Sequence, residues 1–248
     1  MILRRLGNKK KLMPKLIKHF PPHKIWIEPF FGSGSAFFYK PKARYNIVND
    51  LDSDVFNLFQ VVMNQKEELE KAFYIMPIHS DLLEYWKQNK ETEPIKKALR
   101  FLFLSNFSLF GGATQLRLRG GDNVKKQIYK LIENTHEHIF NVQFANYDFR
   151  KFLKSIEYKS NEFIYADPPY LNTTDNYSHR FTKQDSIDLF DCLEKTGCKF
   201  AMSEFNNPFI IEQANKRKLN IITIGERQNL KNRRTEILIT NYKNLTLF

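Results

Sequence analysis

Ile25-Trp26-Ile27-Glu28-Pro29-Phe30-Phe31-Gly32-Ser33-Gly34 reads as a short apolar strand that breaks at once into a glycine turn. A little further on, Tyr45-Asn46-Ile47-Val48-Asn49 is a second strand closing at Asp50. Asp52 then stands where it can cap a helix that carries Val55, Phe56, Phe59, Val62 and Met63 on one face. The rhythm returns in the last part of the chain. Residues 142–146 read as a strand, 149–156 as a helix, and 163–166 as an apolar strand ending in Asp167-Pro168-Pro169-Tyr170. Thr182, with Asp185 three residues later, has the pattern of a capping box, and its helix stops near Gly197. Residues 199–203 form the next strand, Asn207-Pro208 opens another helix, and 220–224 and 236–242 are strands flanking a basic loop. Strands and helices in this alternation imply an α/β fold: a mostly parallel sheet, helices on both faces, and an antiparallel last strand.

The character changes between these two parts. Residues 66–73 and 94–110 look helical with no convincing strand between them, a loop rich in Gly and Arg follows over 111–123, and another helix runs to about 138. This stretch reads as a helical insertion. The expected organisation is a domain of 1–55 with 140–248 and a second domain of 56–139. Near the start, 10–20 reads as a helix broken at Pro21-Pro22.

The 248 residues are 42% hydrophobic and 27% charged, enough apolar content for a packed core and against wholesale disorder. No apolar run approaches the roughly 20 residues of a membrane span. The basic start leads into no apolar signal region, so a cytoplasmic protein is expected. Cys192 and Cys198 match neither a redox pair nor a zinc site and read as two buried thiols. The six histidines are scattered, with His136 and His138 the closest pair, and no metal is assigned. A net charge of +12, with a pI near 9.5, favours a polyanionic partner, because each Lys or Arg on a phosphate releases a condensed counterion.

Three motifs fall at strand carboxyl ends, where open α/β sheets hold their ligands. Gly32 and Gly34 let the backbone approach a ligand closely, although the third glycine of the dinucleotide fingerprint is missing. Asp50 can hold a ribose diol or can be an ordinary turn aspartate. Asp167-Pro168-Pro169-Tyr170 decides the matter, since it should occur by chance in on the order of one chain in a thousand of this length. An adenine amino group is a poor nucleophile, its lone pair being delocalised into the ring. A carboxylate accepting one N–H and a backbone carbonyl accepting the other pull the nitrogen toward tetrahedral geometry. Asp167 supplies the carboxylate. Two prolines stiffen the turn so that the Pro168 carbonyl can face the amino group, and Tyr170 offers a ring to a base swung out of the duplex.

With these residues the chain resembles the Dam-type DNA adenine methyltransferases, the group in which the cofactor motif precedes the catalytic motif and a recognition domain lies between. Arg4-Arg5-Leu6-Gly7-Asn8-Lys9 is similar to the family's N-terminal cofactor-contacting segment, with Asn8 in place of its second glycine. Residues 28–35 are similar to the methionine-binding loop, and Asp50 matches the ribose-binding acid. Asp148 matches the acid near the cofactor adenine. The resemblance implies a Rossmann-like methyltransferase sheet, S-adenosyl-L-methionine as cofactor, double-stranded DNA as partner, and a monomer or weak dimer. It assigns catalysis to Asp167, Pro168, Pro169 and Tyr170. The cofactor falls to Lys9, Phe30, Gly32, Gly34, Asp50, Asp148, Asp167 and Phe181. Leu116 to Asn123 looks like the recognition hairpin, in which Arg117, Arg119 and Asn123 meet DNA and arginine reads guanine through two hydrogen bonds. Beyond Asn123 the sequence departs from the Dam pattern, so the GATC target is not carried over. Arg227, Lys231, Arg233 and Arg234, on the edge where the active site should lie, are expected to contact phosphates. Phe107 and Phe110 have the spacing of helix packing rather than of DNA wedges.

Three other readings stay open at this point. A cytosine 4-amino methyltransferase needs similar chemistry, more often with serine at position 167. An RNA or protein amino methyltransferase usually has asparagine there and lacks the insertion. A DNA-binding relative without activity would be expected to have lost the motifs that are intact here. The sequence leaves open whether a restriction system is served; any cognate restriction endonuclease is expected to be a separate polypeptide, as no room is left for a nuclease domain.

Overall fold

The structure, a computed structural model, describes residues 1–3, 9–109, 114–117, 121–171, 181–228 and 233–243. The chain divides into two compact units. One comprises Lys9–Phe31, Tyr39–Leu51 and Ala145–Phe248, the other Met1–Asn8, Gly32–Phe38 and Asp52–Phe144.

Seven strands make one sheet among the described residues: β1 (Ile25–Glu28), β2 (Tyr45–Asn49), β3 (Gln143–Ala145), β4 (Glu162–Ala166), β5 (Lys199–Phe205), β6 (Asn220–Gln228) and β7 (Arg233–Thr240). Their order is β3-β2-β1-β4-β5-β7-β6. β1 runs parallel to β2 and β4, and β4 to β5, whereas β7 is antiparallel to both β5 and β6. The expected sheet, with its antiparallel last strand, is the one observed. Strand order reverses between β1 and β4, which is where sheets of this kind open a crevice at their carboxyl ends.

The helices described are α1 (Met13–Leu16), α2 (Ser53–Asn64), α3 (Lys66–Ile75), α4 (Ser80–Gln88), α5 (Pro94–Phe107), α6 (Gly121–Ile139), α7 (Phe149–Ser155), α8 (Lys183–Lys195) and α9 (Pro208–Lys216). The N-terminal helix is shorter than its sequence suggests, with one α turn passing into a 3-10 turn over Ile17–His19 before the proline pair. Side chains alternate across the sheet. Ile27, Ile164, Phe200, Met202, Ile237 and Ile239 face one way, packed with Phe152 and Leu153 of α7, Leu189, Phe190 and Leu193 of α8, and Ile210 and Ala214 of α9. Trp26, Phe163 and Tyr165 face the other way and gather around Phe20, with ring centroids 5.1–5.7 Å apart. Both faces being covered, the inner strands read as continuous apolar runs. The caps follow the sequence. Asp52 accepts from the Asp54 amide, Thr182 and Asp185 close a capping box on α8, and Asn207 caps α9.

In the helical unit α2 packs on α5 and α6, α3 on the same two helices, and α4 on α5. α4 has no counterpart in the expectations. It buries Leu83 and Trp86, and it starts at His79, whose ring nitrogen accepts from the Leu82 amide at 3.1 Å. α5 begins on a Glu93 cap with Pro94 in its first turn and ends at Phe107, short of the expected 110. Phe107 is buried as expected; Phe110 lies outside the described residues. The expected hairpin over 116–123 is corrected at its far end, because Gly121 already opens α6 and Asn123 is helical. At its near end Leu116 bridges Ser108. The basic segment is also more regular than a loop, for Arg227 pairs with Arg234 and Gln228 with Arg233 in the β6–β7 ladder. Cys198 is buried, but Cys192 is only half-buried. None of the described helices is long and apolar enough to cross a membrane.

Truncating Phe200, which has no exposed surface, to alanine is expected to cost about 3–5 kcal/mol in urea unfolding. Tyr45→Ala, at a side chain open to solvent, is expected to change stability by less than about 0.5 kcal/mol.

Candidate active site

β1 ends in Glu28, which is buried and accepts from the Trp26 indole N–H at 2.9 Å. Burial pushes its carboxyl well above the usual range, against that hydrogen bond and the nearby Lys40. Lys40 is itself pulled down to about 8 by burial, although Glu28 favours its charged form. Each group thus relieves some of the cost of burying the other.

The turn after β1 is held by Asn49, at the end of β2. Its side-chain amide donates to the carbonyls of Pro29 and Tyr147 at 3.0 and 2.9 Å, and its side-chain oxygen accepts from the Tyr147 amide at 2.9 Å. Asn146 likewise donates to the carbonyls of Asp50 and Leu51 at 2.7 and 3.1 Å. Two asparagines therefore bind the exit of β2 to the exit of β3, and Asp50 and Asp148 stand on those two exits. Gly32 and Gly34 have φ of +54° and +70°, left-handed values that favour glycine. A Cβ at Gly32 would meet no atom within 4 Å, so this position faces open space.

Asp148 caps α7 and is gripped by Arg150, whose guanidinium reaches it at 3.0 Å, Asp188 at 2.7 Å, and Asp185 as well. Beside this cluster Phe30, Phe149 and Phe181 meet ring to ring, with centroids 5.4–6.0 Å apart. Phe30 and Phe181 are among the residues that the resemblance assigns to the cofactor. Arg150 is not, because two of its three acidic partners, Asp185 and Asp188, come from another helix.

At the end of β4, Lys9 meets the Asp167–Tyr170 turn. Its buried ammonium pairs with Asp167 at 3.0 Å and also contacts the Tyr170 hydroxyl and Glu236. Tyr170 in turn donates to Glu236, and its ring stands edge-on to Phe205 at 4.6 Å. Glu204, also buried, accepts from the amides of Leu171 and Phe205 at 3.3 and 2.7 Å, so it holds the backbone just after the motif. Burial pushes its carboxyl up to about 8, against those two hydrogen bonds. Arg234 reaches the Phe205 ring at 5.3 Å, whereas Arg117 and Asn123 are exposed on the helical unit. Arg119 and Lys231, residues 4–8, and the side chains of Arg227 and Arg233 lie outside what the structure describes.

The family model for D12 class N6 adenine-specific DNA methyltransferases matches residues 6–237. The chain belongs to this family. A type II methyltransferase of Lactococcus lactis subsp. cremoris, M1.LlaDCHI, is 27% identical over 96% of the chain and 94% of its own length. The DNA adenine methylase of Escherichia coli K12 is also 27% identical, over 73% of this chain and 69% of its own. Among solved structures, an rRNA methylase from Streptococcus thermophilus covers 96% of this chain and 98% of its own at 7% identity and a TM-score of 0.43. The D12 chain is thus a DNA adenine methyltransferase, and it requires a methyl donor.

Glu204 offers a check by pH. Its folded value of about 8 lies above the ordinary 4.5, so the folded chain holds this proton more tightly than the unfolded chain does. Stability from this group is therefore lost as pH rises from about 5 to 8. Over that window the Tm of Glu204→Gln is expected to fall less than that of the unaltered protein.

Proposed function

We propose that this D12 methyltransferase transfers a methyl group from S-adenosyl-L-methionine to the 6-amino group of an adenine in a short site of double-stranded DNA. The observation that carries the reading is the Asp167-Pro168-Pro169-Tyr170 turn at the carboxyl end of β4, where the sheet's strand order reverses, with Lys9 ion-paired to Asp167.

The donor set suits this cofactor. Carboxylates at Asp50 and Asp148 can accept from ribose hydroxyls and the adenine amine. The rings of Phe30, Phe149 and Phe181 offer an apolar wall, and Gly32 and Gly34 let the backbone approach the methionine portion. When bound, S-adenosyl-L-methionine supplies an electron-poor methyl group on a sulfonium. In this reading the target adenine leaves the stack, at a cost of roughly a few kcal/mol, and Tyr170 receives its ring. Asp167 accepts one amino N–H and the Pro168 carbonyl the other. With its lone pair freed, the amino nitrogen would take the methyl group as a cation, whose surplus proton would pass by way of Asp167 to solvent. No covalent enzyme intermediate is needed, so alignment supplies most of the acceleration.

We infer further that residues 56–139 form the recognition domain, with Arg117, Arg119 and Asn123 on base edges and Arg227, Lys231, Arg233 and Arg234 on phosphates. The positive net charge supports this. A cytoplasmic setting goes with a DNA substrate.

Single-molecule sequencing of DNA from a methylation-deficient host expressing the chain is expected to find N6-methyladenine at one short motif. None should appear with Asp167→Ala. Methylated cytosine at that motif would instead establish the cytosine alternative. Arg150→Ala, by releasing Asp148, is expected to weaken cofactor binding roughly tenfold in calorimetry, the scale of one hydrogen bond to a charged group. Unchanged affinity would remove Asp148 from the cofactor site.

A further inference from the structure

Glu236 is a buried carboxylate that the methyl-transfer steps leave without a role. It lies on β7 in register with Phe205 of β5, and none of its surface is exposed. One oxygen, Oε1, accepts from both the Lys9 ammonium and the Tyr170 hydroxyl. Its other oxygen has no hydrogen-bond partner among the described residues. A carboxylate in such a place is strongly unfavourable unless a cation compensates it, and Lys9 is that cation.

Three distant segments meet on this one oxygen: the start of the catalytic unit at Lys9, the motif at Tyr170, and the last strand. Lys9 also carries the contact on to Asp167. With Lys9 and Asp167 alone, the ion pair would be formally neutral. Glu236 shares the ammonium, so Lys9 is not devoted to Asp167 alone, whose carboxylate faces the place where a methylsulfonium and a developing ammonium need negative charge. The same sharing braces the carboxylate and the ring on which the target base depends, where small misplacements are costly.

We propose that Glu236 is a positioning residue of this methyltransferase: by holding Lys9 and the Tyr170 hydroxyl on one oxygen, it sets Asp167 and the Tyr170 ring for the adenine amino group. The role rests on the reading of Asp167 to Tyr170 as the catalytic motif. The test is steady-state kinetics of Glu236→Gln and Glu236→Asp, beside Asp167→Ala, on DNA carrying the motif found by sequencing. Folding is checked by thermal unfolding. Glu236→Gln is expected to lower kcat on the order of 100-fold, while KM for cofactor and for DNA moves less than about threefold. Glu236→Asp, which keeps the charge on a shorter arm, should recover about tenfold of that loss. A kcat for the Gln variant within about twofold of the unaltered protein would overturn the proposal, and so would a loss confined to KM. If the Gln variant does not fold, the Asp variant decides: a lowered kcat at constant KM supports the role, and an unchanged kcat overturns it. An inactive Asp167→Ala beside a fully active Gln variant defeats only this proposal. Full activity of Asp167→Ala would defeat the motif's catalytic reading itself.

Discussion

The parallel pairing of β1 with β4 sets Ile25, Trp26 and Ile27 beside Glu162, Phe163 and Ile164, residues far apart in the chain. The two strands consequently end side by side, one in Glu28 and the other in Ala166, just before Asp167. Backbone hydrogen bonds define the register, and aromatic packing of Trp26 with Phe163 and Tyr165 on one face makes a slip costly. A slip of one residue would turn this apolar set to the opposite face and move Asp167 along the edge. The Asp167 carboxylate is thus located by strand contacts away from the turn that bears it.

Charge is arranged around that edge in layers. Glu28 and Lys40 lie under the first turn, Glu204 under the segment after the motif, and Glu236 with Lys9 beside Tyr170. Buried ionisable groups destabilise a fold unless they are paired or hydrogen-bonded. Their concentration at the carboxyl edge, with apolar side chains filling the sheet's interior, marks where stability has been given up for chemistry.

Much of this was legible in the residue order. Strand periodicity, the caps at Asp52, Thr182 and Asn207, and the stiff acidic turn at Asp167 are local signals, and each has its element in the structure. What escaped is non-local or atypical. α4 starts on a histidine, outside the usual capping residues, and its nine residues hold only two buried side chains. β7 begins earlier than its apolar run because Arg233 and Arg234 are paired across the ladder with β6, an outcome no local propensity dictates. Glu236, Glu204 and Arg150 are ordinary charged residues in sequence. They gain meaning only from partners brought in by sheet pairing or by a neighbouring helix.

The two asparagines that tie the exits of β2 and β3 bear on how such a protein changes over evolutionary time. Asn49 grips Pro29 and Tyr147, and Asn146 grips Asp50 and Leu51, so the two ends of the long segment between β2 and β3 are clamped together. Anything spliced between those points inherits ends already fixed at the right separation. Insertions, deletions or wholesale exchange of the helical segment then need not disturb the strands. The strands can then keep their register while the segment between those exits changes.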